Sequence, residues 1–281
     1  MLTTFDFHIK IFLLVVIIMK KVAIVTGASS GIGRYTAMAL RDSGCIVYDL
    51  SRRDIPNENI THIKTDITNE ENVQNSIKGI IEKENQIDIV INCAGFGISG
   101  AVEFTDTKDA KVQFDVNFFG MVNVNKAVIP YMRKQGFGRI VNISSVAAVT
   151  HIPFQTYYSA SKAAIESYTC ALDNEIKPFG ISVVAIQPGD ICTEFTNARQ
   201  KSFDGDNVYN GRISRSVAGM EKDEQKGMSP EFAGRYIAKI ALKNKTKPIY
   251  AIGFSYKLVC VLCKIFPCRI RNKIIGMLYA K

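Results

Sequence analysis

Residues 157–162 read YYSASK, and the chemistry they offer depends on the spacing of Tyr158 and Lys162. On an α-helix these two side chains share one face a turn apart, whereas Tyr157 projects about a third of a turn away. A phenol with a pKa near ~10 exchanges protons poorly at neutral pH. An ammonium group beside it favours the phenolate and brings it into working range. A second stretch, TGASSGIG at 26–33, has glycines that permit a tight turn and let backbone N–H groups approach a pyrophosphate. Its G-x-x-x-G-x-G spacing differs from the common G-x-G-x-x-G dinucleotide fingerprint, so its context must supply the specificity.

That context is an alternation of strand and helix. Apolar runs at 22–26, 46–50, 60–64, 87–92, 139–144, 181–187 and 248–252 read as strands. Helical spacing occupies 31–43, 70–85, 107–135 and 156–177, with Gly44 placed as a helix-ending residue. The pattern predicts a single-domain, doubly wound α/β fold around a parallel sheet, with its ligand site outside the carboxyl ends of the strands. The polar and glycine residues collect at those ends: Thr26-Gly27, Ser51-Arg52, Asp66, Asn92-Cys93-Ala94-Gly95, Ser144-Ser145 and Pro188-Gly189.

With TGASSGIG, Asp66-Ile67, NCAG at 92–95, Asn117, Ser145, YSASK and PGDICT at 188–193 in this order, residues 19–252 resemble the short-chain dehydrogenase/reductase family. Cys93 departs from that family's commoner NNAG. The resemblance implies a Rossmann-like NAD(P)-dependent oxidoreductase that interconverts a carbonyl and a secondary alcohol. Tyr158 would be the general acid/base, Lys162 would also hold the nicotinamide ribose, and Ser145 would hydrogen-bond the substrate oxygen. Asn117 would hold a water linking Lys162 to solvent. The family spacing of thirteen residues from serine to tyrosine selects Ser145 and Tyr158, while Tyr157 has Ser161, not a lysine, four residues on. The implied cofactor contacts are Gly27, Ser29, Ser30, Gly31, Ile32, Gly33, Ser51, Arg52, Arg53, Asp66, Ile67, Asn92, Ala94, Gly95, Tyr158, Lys162, Pro188, Gly189, Ile191 and Thr193.

An acidic residue after the second strand suits NAD, and a basic one suits the 2′-phosphate of NADP. Ser51 followed by Arg52-Arg53 points to NADP(H); Asp49, two residues earlier, keeps NAD(H) as the alternative. Substrate choice falls to the loops at 96–104, 146–157 and 190–228, the last read as a long substrate lid.

The chain carries a net charge of +9, unevenly spread: residues 232–281 hold eleven Lys/Arg and no acid. This basic, apolar extension (253–281) resembles the family branches that act on steroids, retinoids or other lipids. Three roles are open to it: capping an apolar pocket, packing on the domain or a second subunit, or peripheral contact with an anionic membrane. No nucleic-acid-binding module accompanies the charge. Seven cysteines, an odd number set mostly in apolar runs, suit reduced thiols in a cytoplasmic protein. Cys260-x-x-Cys263 lacks further ligands, and His62 and His151 fit no metal constellation, so no metal is expected. Residues 1–18 read as an over-extended start or short apolar leader, because 11–19 is too short to span a bilayer.

The reading is an NADP(H)-dependent carbonyl reductase or alcohol dehydrogenase for a small apolar substrate, working as a homodimer or homotetramer through the helices near 107–135 and 156–177. The rival readings are a 3-ketoacyl-carrier-protein reductase and a non-catalytic nucleotide-binding regulator or scaffold.

Overall fold

The computed structural model describes residues 20–54 and 59–280. The expectation for residues 1–18 lies outside them. Seven parallel strands form the central sheet in the order β3-β2-β1-β4-β6-β7-β9. They are β1 (Val22–Thr26), β2 (Ile46–Ser51), β3 (Thr61–Lys64), β4 (Ile89–Asn92), β6 (Gly138–Ile143), β7 (Ile181–Gln187) and β9 (Ile249–Ala251). Two short strands, β5 (Ile98–Ser99) and β8 (Gln200–Lys201), pair beside the sheet.

The two-residue side-chain period of a strand explains both layers of helices. In β1, Ala23 and Val25 point to one face, where α1 (Gly31–Asp42) and α9 (Pro230–Ala241) cover them through Ala37, Leu40, Ala233 and Ile237. Val22 and Ile24 point to the other face, covered by α2 (Glu70–Glu84), α4 (Gly120–Gln135) and α6 (Thr156–Ile176) through Ile77, Val124, Val128 and Leu172. Each such fully buried Leu or Ile contributes roughly 1.5–3 kcal/mol. Strands covered on both faces read as near-continuous apolar runs, and VAIVT in β1 is buried at every position. On the α1 face, Gly234 lets two helices touch backbone to backbone, since a Cβ there would lie 2.5 Å from the Tyr35 carbonyl carbon.

The expected elements are present, with two differences. The 107–135 helix is not uniform: α3 (Thr107–Phe114) runs through a π-helical turn at Asp115–Phe119 into α4. Segment 190–228 is not a bare loop. It contains α7 (Phe195–Ala198), β8 and a 14-residue helix, α8 (Arg212–Gln225). Ile213, Val217 and Met220 recur at helical spacing along α8 and are buried. The charges between them mask this stripe in the sequence.

After β9 the chain forms a helical hairpin, α10 (Phe254–Ile265) and α11 (Cys268–Tyr279), turned at Phe266-Pro267. A short helix, α5 (Ala147–Thr150), lies beneath it.

Candidate active site

The carboxyl ends of the strands open into a cavity of about 930 Å³, within the usual range for a ligand pocket. At one end, the turn from β1 into α1 forms a cradle built on glycine. Gly27 has φ +71°, and a Cβ there would lie 2.8 Å from the Ala94 Cα. A Cβ at Gly33 would lie 2.3 Å from the Gly27 carbonyl oxygen. The turn can therefore close on itself and present the N-terminus of α1, with its unpaired N–H groups, to the cavity. Ser30, the residue before α1, makes no side-chain cap bond there. The cradle fits a dinucleotide pyrophosphate.

Asp49 anchors this turn from beneath. It is fully buried, accepts from the Ala28 N–H (2.9 Å) and the Ser51 hydroxyl (2.6 Å), and meets His62 Nδ1 at 2.7 Å. Its carboxylate is thus spent inside the fold. Ser51, Arg52 and Arg53 line the cavity at this end, and Arg53 Nη2 donates to the hydroxyls of Ser30 (3.2 Å) and Ser29 (3.4 Å). Asp66 and Ile67 line the adjoining wall, where Asp66 accepts from the Thr68 N–H and hydroxyl.

The middle of the cavity is lined by Ser145, Tyr158 and Lys162. Tyr158 and Lys162 share a face of α6, and the Lys162 Nζ lies 5.6 Å from the Tyr158 ring centroid. Nζ donates to the Ile143 carbonyl at 2.9 Å. Burial pushes the Tyr158 phenol up to about 12, against the opposing pull of the Ser145 hydroxyl and the Arg199 charge. Burial pushes Lys162 down to about 8. The protein's own groups therefore keep Tyr158 as a proton donor at neutral pH. The expected lowering of the phenol by Lys162 together with the positive nicotinamide of an oxidised cofactor belongs to the cofactor-bound site; among the protein's own groups, loss of solvent sets the direction.

The doublets separate cleanly. Both serines lie along the cavity wall and differ in their bonds: the buried Ser144 hydroxyl is engaged by the Lys162 carbonyl (3.0 Å) and Glu166 (2.8 Å), while the Ser145 hydroxyl accepts from the Ala147 N–H. Tyr157 is half-buried and is not among the lining residues.

Among the expected cofactor residues Asn92 is the exception. Its amide donates to Asn125 (2.7 Å) and Asn142 (2.9 Å) in a buried asparagine cluster behind β4, away from the cavity lining. Ala94, Gly95, Pro188, Gly189, Ile191 and Thr193 do line it, as do Gly27, Ser29, Gly31, Ile32 and Gly33.

Asn117 sits in the π-helical turn, 1% exposed, just behind Gly95. Its amide bridges the Phe96 N–H and carbonyl and donates to the Ser161 hydroxyl. In this set of bonds Asn117 positions the 95–96 loop. The Cys93 thiol, which burial pushes up to about 12, is held as the unreactive thiol.

Several lining residues carried no signal of their own. Phe195 of α7 packs against Tyr158 with ring centroids 5.8 Å apart, and Arg199 stacks on Phe195 while pairing with Glu224. Asp190, the acid inside PGDICT, accepts from the Tyr256 hydroxyl at 2.7 Å, and burial raises its carboxyl. Tyr256 also lies flat on Gly189, where a Cβ would fall 2.4 Å from its ring. Tyr256 and Val259 of α10 join Ile275, Leu278 and Tyr279 of α11 in closing the cavity. Of the three roles open to the extension, these contacts make two: it caps the pocket, and it packs on the domain against Val146, Val149 and Ala251.

A family model described as short chain dehydrogenase matches residues 21–203. The chain belongs to the short-chain dehydrogenase family. A 3-ketodihydrosphingosine reductase from Bacteroides thetaiotaomicron is 43% identical over 84% of this chain and 91% of its own length. A probable short-chain type dehydrogenase/reductase, VdlC, from Helicobacter pylori is 32% identical over 87% and 93%. Among solved structures, a short-chain dehydrogenase from Streptomyces avermitilis has a TM-score of 0.79 at 27% identity, covering 91% of this chain and 94% of that one. A Burkholderia cenocepacia short-chain dehydrogenase in complex with NADP has a TM-score of 0.71 at 25% identity, covering 92% and 97%. This short-chain dehydrogenase is therefore an oxidoreductase of CH–OH groups that uses a nicotinamide cofactor.

Proposed function

We propose that this short-chain dehydrogenase reduces the ketone of a long-chain lipid, a 3-keto sphingoid base such as 3-ketodihydrosphingosine, using NADPH. The observation that carries the reading is the cavity: it runs from the glycine cradle past Tyr158 to a lid of tail residues, Val259, Ile275 and Leu278. An apolar chain leaving the Tyr158 region has an apolar wall to follow. The 3-ketodihydrosphingosine reductase relative supports the same substrate class. Asp190 lines this part of the cavity and offers a carboxyl oxygen to an ammonium group, which a sphingoid base carries beside its ketone. The extra helical hairpin disfavours a carrier-protein reductase, and the intact Ser145–Tyr158–Lys162 set disfavours an idle scaffold.

NADPH supplies the hydride when bound. Ser145 and Tyr158 take the substrate oxygen between their hydroxyls, and Tyr158, kept protonated by burial, donates the proton. Lys162 holds the nicotinamide ribose and balances the phenolate that results. Arg53 above Ser29 and Ser30, with Asp49 spent inside the fold, supports NADPH over NADH. Seven free thiols support a reducing, cytoplasmic setting, and among the described residues no helix is long and apolar enough to cross a membrane. Assembly through α4 and α6 into a dimer or tetramer completes the proposal, and light scattering checks it.

The test is NADPH oxidation by the full chain with dispersed 3-ketodihydrosphingosine, a 3-ketoacyl thioester, a steroid ketone and retinal, with Tyr158→Phe as control. The sphingoid ketone should give the highest kcat/KM, with a loss of a hundredfold or more in the variant. Preference for the thioester, or undiminished turnover by Tyr158→Phe, defeats the proposal.

A further inference from the structure

The tail hairpin buries one stripe of each helix and exposes another that is equally apolar. On α10 the buried side is Tyr256, Val259 and Cys260, while Phe254, Leu258, Val261 and Ile265 follow helical spacing on the outside. Phe254 is 86% exposed and Ile265 69%. On α11 the buried residue is Ile275, and Ile270, Ile274, Met277 and Leu278 form the outer stripe. Phe266, at the turn, is also exposed. A soluble surface rarely gathers so many large apolar side chains on one element. Flanking these stripes are exposed Lys257, Lys264, Arg269 and Lys273, and residues 232–281 contain no Asp or Glu.

We propose that the outer face of the α10–α11 hairpin docks on an anionic phospholipid surface, with its apolar stripes at the headgroup–acyl boundary and its lysines and arginine on the phosphates. Charge selects this occupant. A second copy meeting the same face across a two-fold axis would bring Lys257, Lys264, Arg269 and Lys273 against their own equivalents, with no acid on either tail to pair them. An anionic bilayer satisfies both features at once: it accepts the apolar side chains and neutralises the cations. Arg271 braces the hairpin by donating to the Cys263 carbonyl, and Arg212 of α8 ties its end through the Ala280 carbonyl, so the two stripes are held together as one surface.

Leu278 connects this surface to the active site. It lines the cavity and is 63% exposed, so the cavity meets the outside at the docking face. Resting on the lipid-ketone reading above, the docked hairpin lets a lipid substrate slide between α10 and α11 into the cavity without crossing water.

The chain has no tryptophan, so Ile265→Trp places a single indole, excited apart from the tyrosines, on the outer stripe. Its emission should shift to the blue with vesicles of equal parts phosphatidylcholine and phosphatidylglycerol, and the full chain should co-sediment with them. Pure phosphatidylcholine and high salt should weaken both. The combined substitution Lys264→Gln, Arg269→Gln, Lys273→Gln should weaken anionic-vesicle binding roughly a hundredfold. Turnover of a short, water-soluble ketone serves as the folding control for these variants. No blue shift, or equal binding to neutral and anionic vesicles by parent and triple variant, overturns the proposal. So does a face already covered by a second copy, seen in light scattering as a dimer that Leu258→Asp splits. Vesicle binding is read without turnover, so its failure leaves the lipid-ketone reading standing, and failure of that reading leaves the docking surface standing.

Discussion

Replacing Arg53 with alanine tests the cofactor end of the site most directly. The guanidinium lies over the cradle, 3.2 Å from the Ser30 hydroxyl and 3.4 Å from that of Ser29, and it is exposed. A 2′-phosphate placed among these groups would accept charge-assisted hydrogen bonds worth roughly 1.5–3 kcal/mol apiece when shielded. Exposure pulls the figure to the lower end, about 1.4 kcal/mol, or tenfold in Kd. Arg53→Ala should therefore weaken NADPH about tenfold, and Arg52→Ala with Arg53→Ala about a hundredfold. NADH, which has no phosphate at that position, should change by less than about threefold. Calorimetric titration of the full chain with each nucleotide measures this without any substrate, and the NADPH difference should shrink as salt rises. The more obvious exchange, Ser51→Asp, is a poorer test. The Ser51 hydroxyl donates to Asp49, so a new carboxylate would face one that already holds the cradle through the Ala28 N–H. Equal losses for both nucleotides in Arg53→Ala, or none for either, would refute the assignment of Arg53 to the phosphate.

Gly33→Ala puts a Cβ 2.3 Å from the Gly27 carbonyl oxygen, so it should cost about 1–3 kcal/mol in urea melts and abolish nucleotide binding in the same titration. Tyr256→Phe removes the donor to Asp190 from the lid; it should lower stability by about 1–3 kcal/mol and raise KM for an apolar ketone more than it lowers kcat. Burial holds Lys162 at about 8 against an ordinary 10.5, so between those values the unfolded chain binds a proton that the folded chain has released. Stability from this group must therefore rise with pH across that window, and the gap between parent and Lys162→Met should change by about 2 kcal/mol from pH ~7.5 to ~9.5; a flat difference in urea melts would contradict the buried, pKa-lowered lysine.

The sheet and the shared helix face of Tyr158 and Lys162 were legible in the sequence because each rests on a short-range rule. Strand alternation places Ala23 and Val25 on one face and Val22 and Ile24 on the other. Helical spacing sets Tyr158 above Lys162. The serine doublet is resolved where β6 ends: the Ser144 hydroxyl is taken up by Glu166 and the Lys162 carbonyl, whereas the Ser145 hydroxyl is bonded only by the Ala147 N–H. Asn92 misled because its motif marks the right loop, yet its amide is claimed by Asn125 and Asn142, which lie 33 and 50 residues away along the chain. Helix α8 was hidden for a different reason: its buried apolar stripe is only Ile213, Val217 and Met220 set among charges, too narrow to stand out from a polar loop.

The tail shows where periodicity stops being informative. A helix with one apolar stripe announces which side faces the protein. Each helix of the hairpin has two, so the sequence could not say whether it capped a pocket, packed on a subunit or met a membrane. Tertiary contact breaks that tie by assigning the inner stripe: Tyr256 takes Asp190 and Gly189, and Ile275 and Tyr279 complete the cavity wall. The outer stripe is then left unexplained by the fold. Its burial would contribute nothing to the stability of the monomer, and its exposure carries a solubility cost that an unused surface would shed. Under the two proposals the stripes serve two functions on one element, a wall for the cavity that would take a lipid ketone and a surface for the phase from which such a molecule would come. Leu278, belonging to both, is the residue at which they meet.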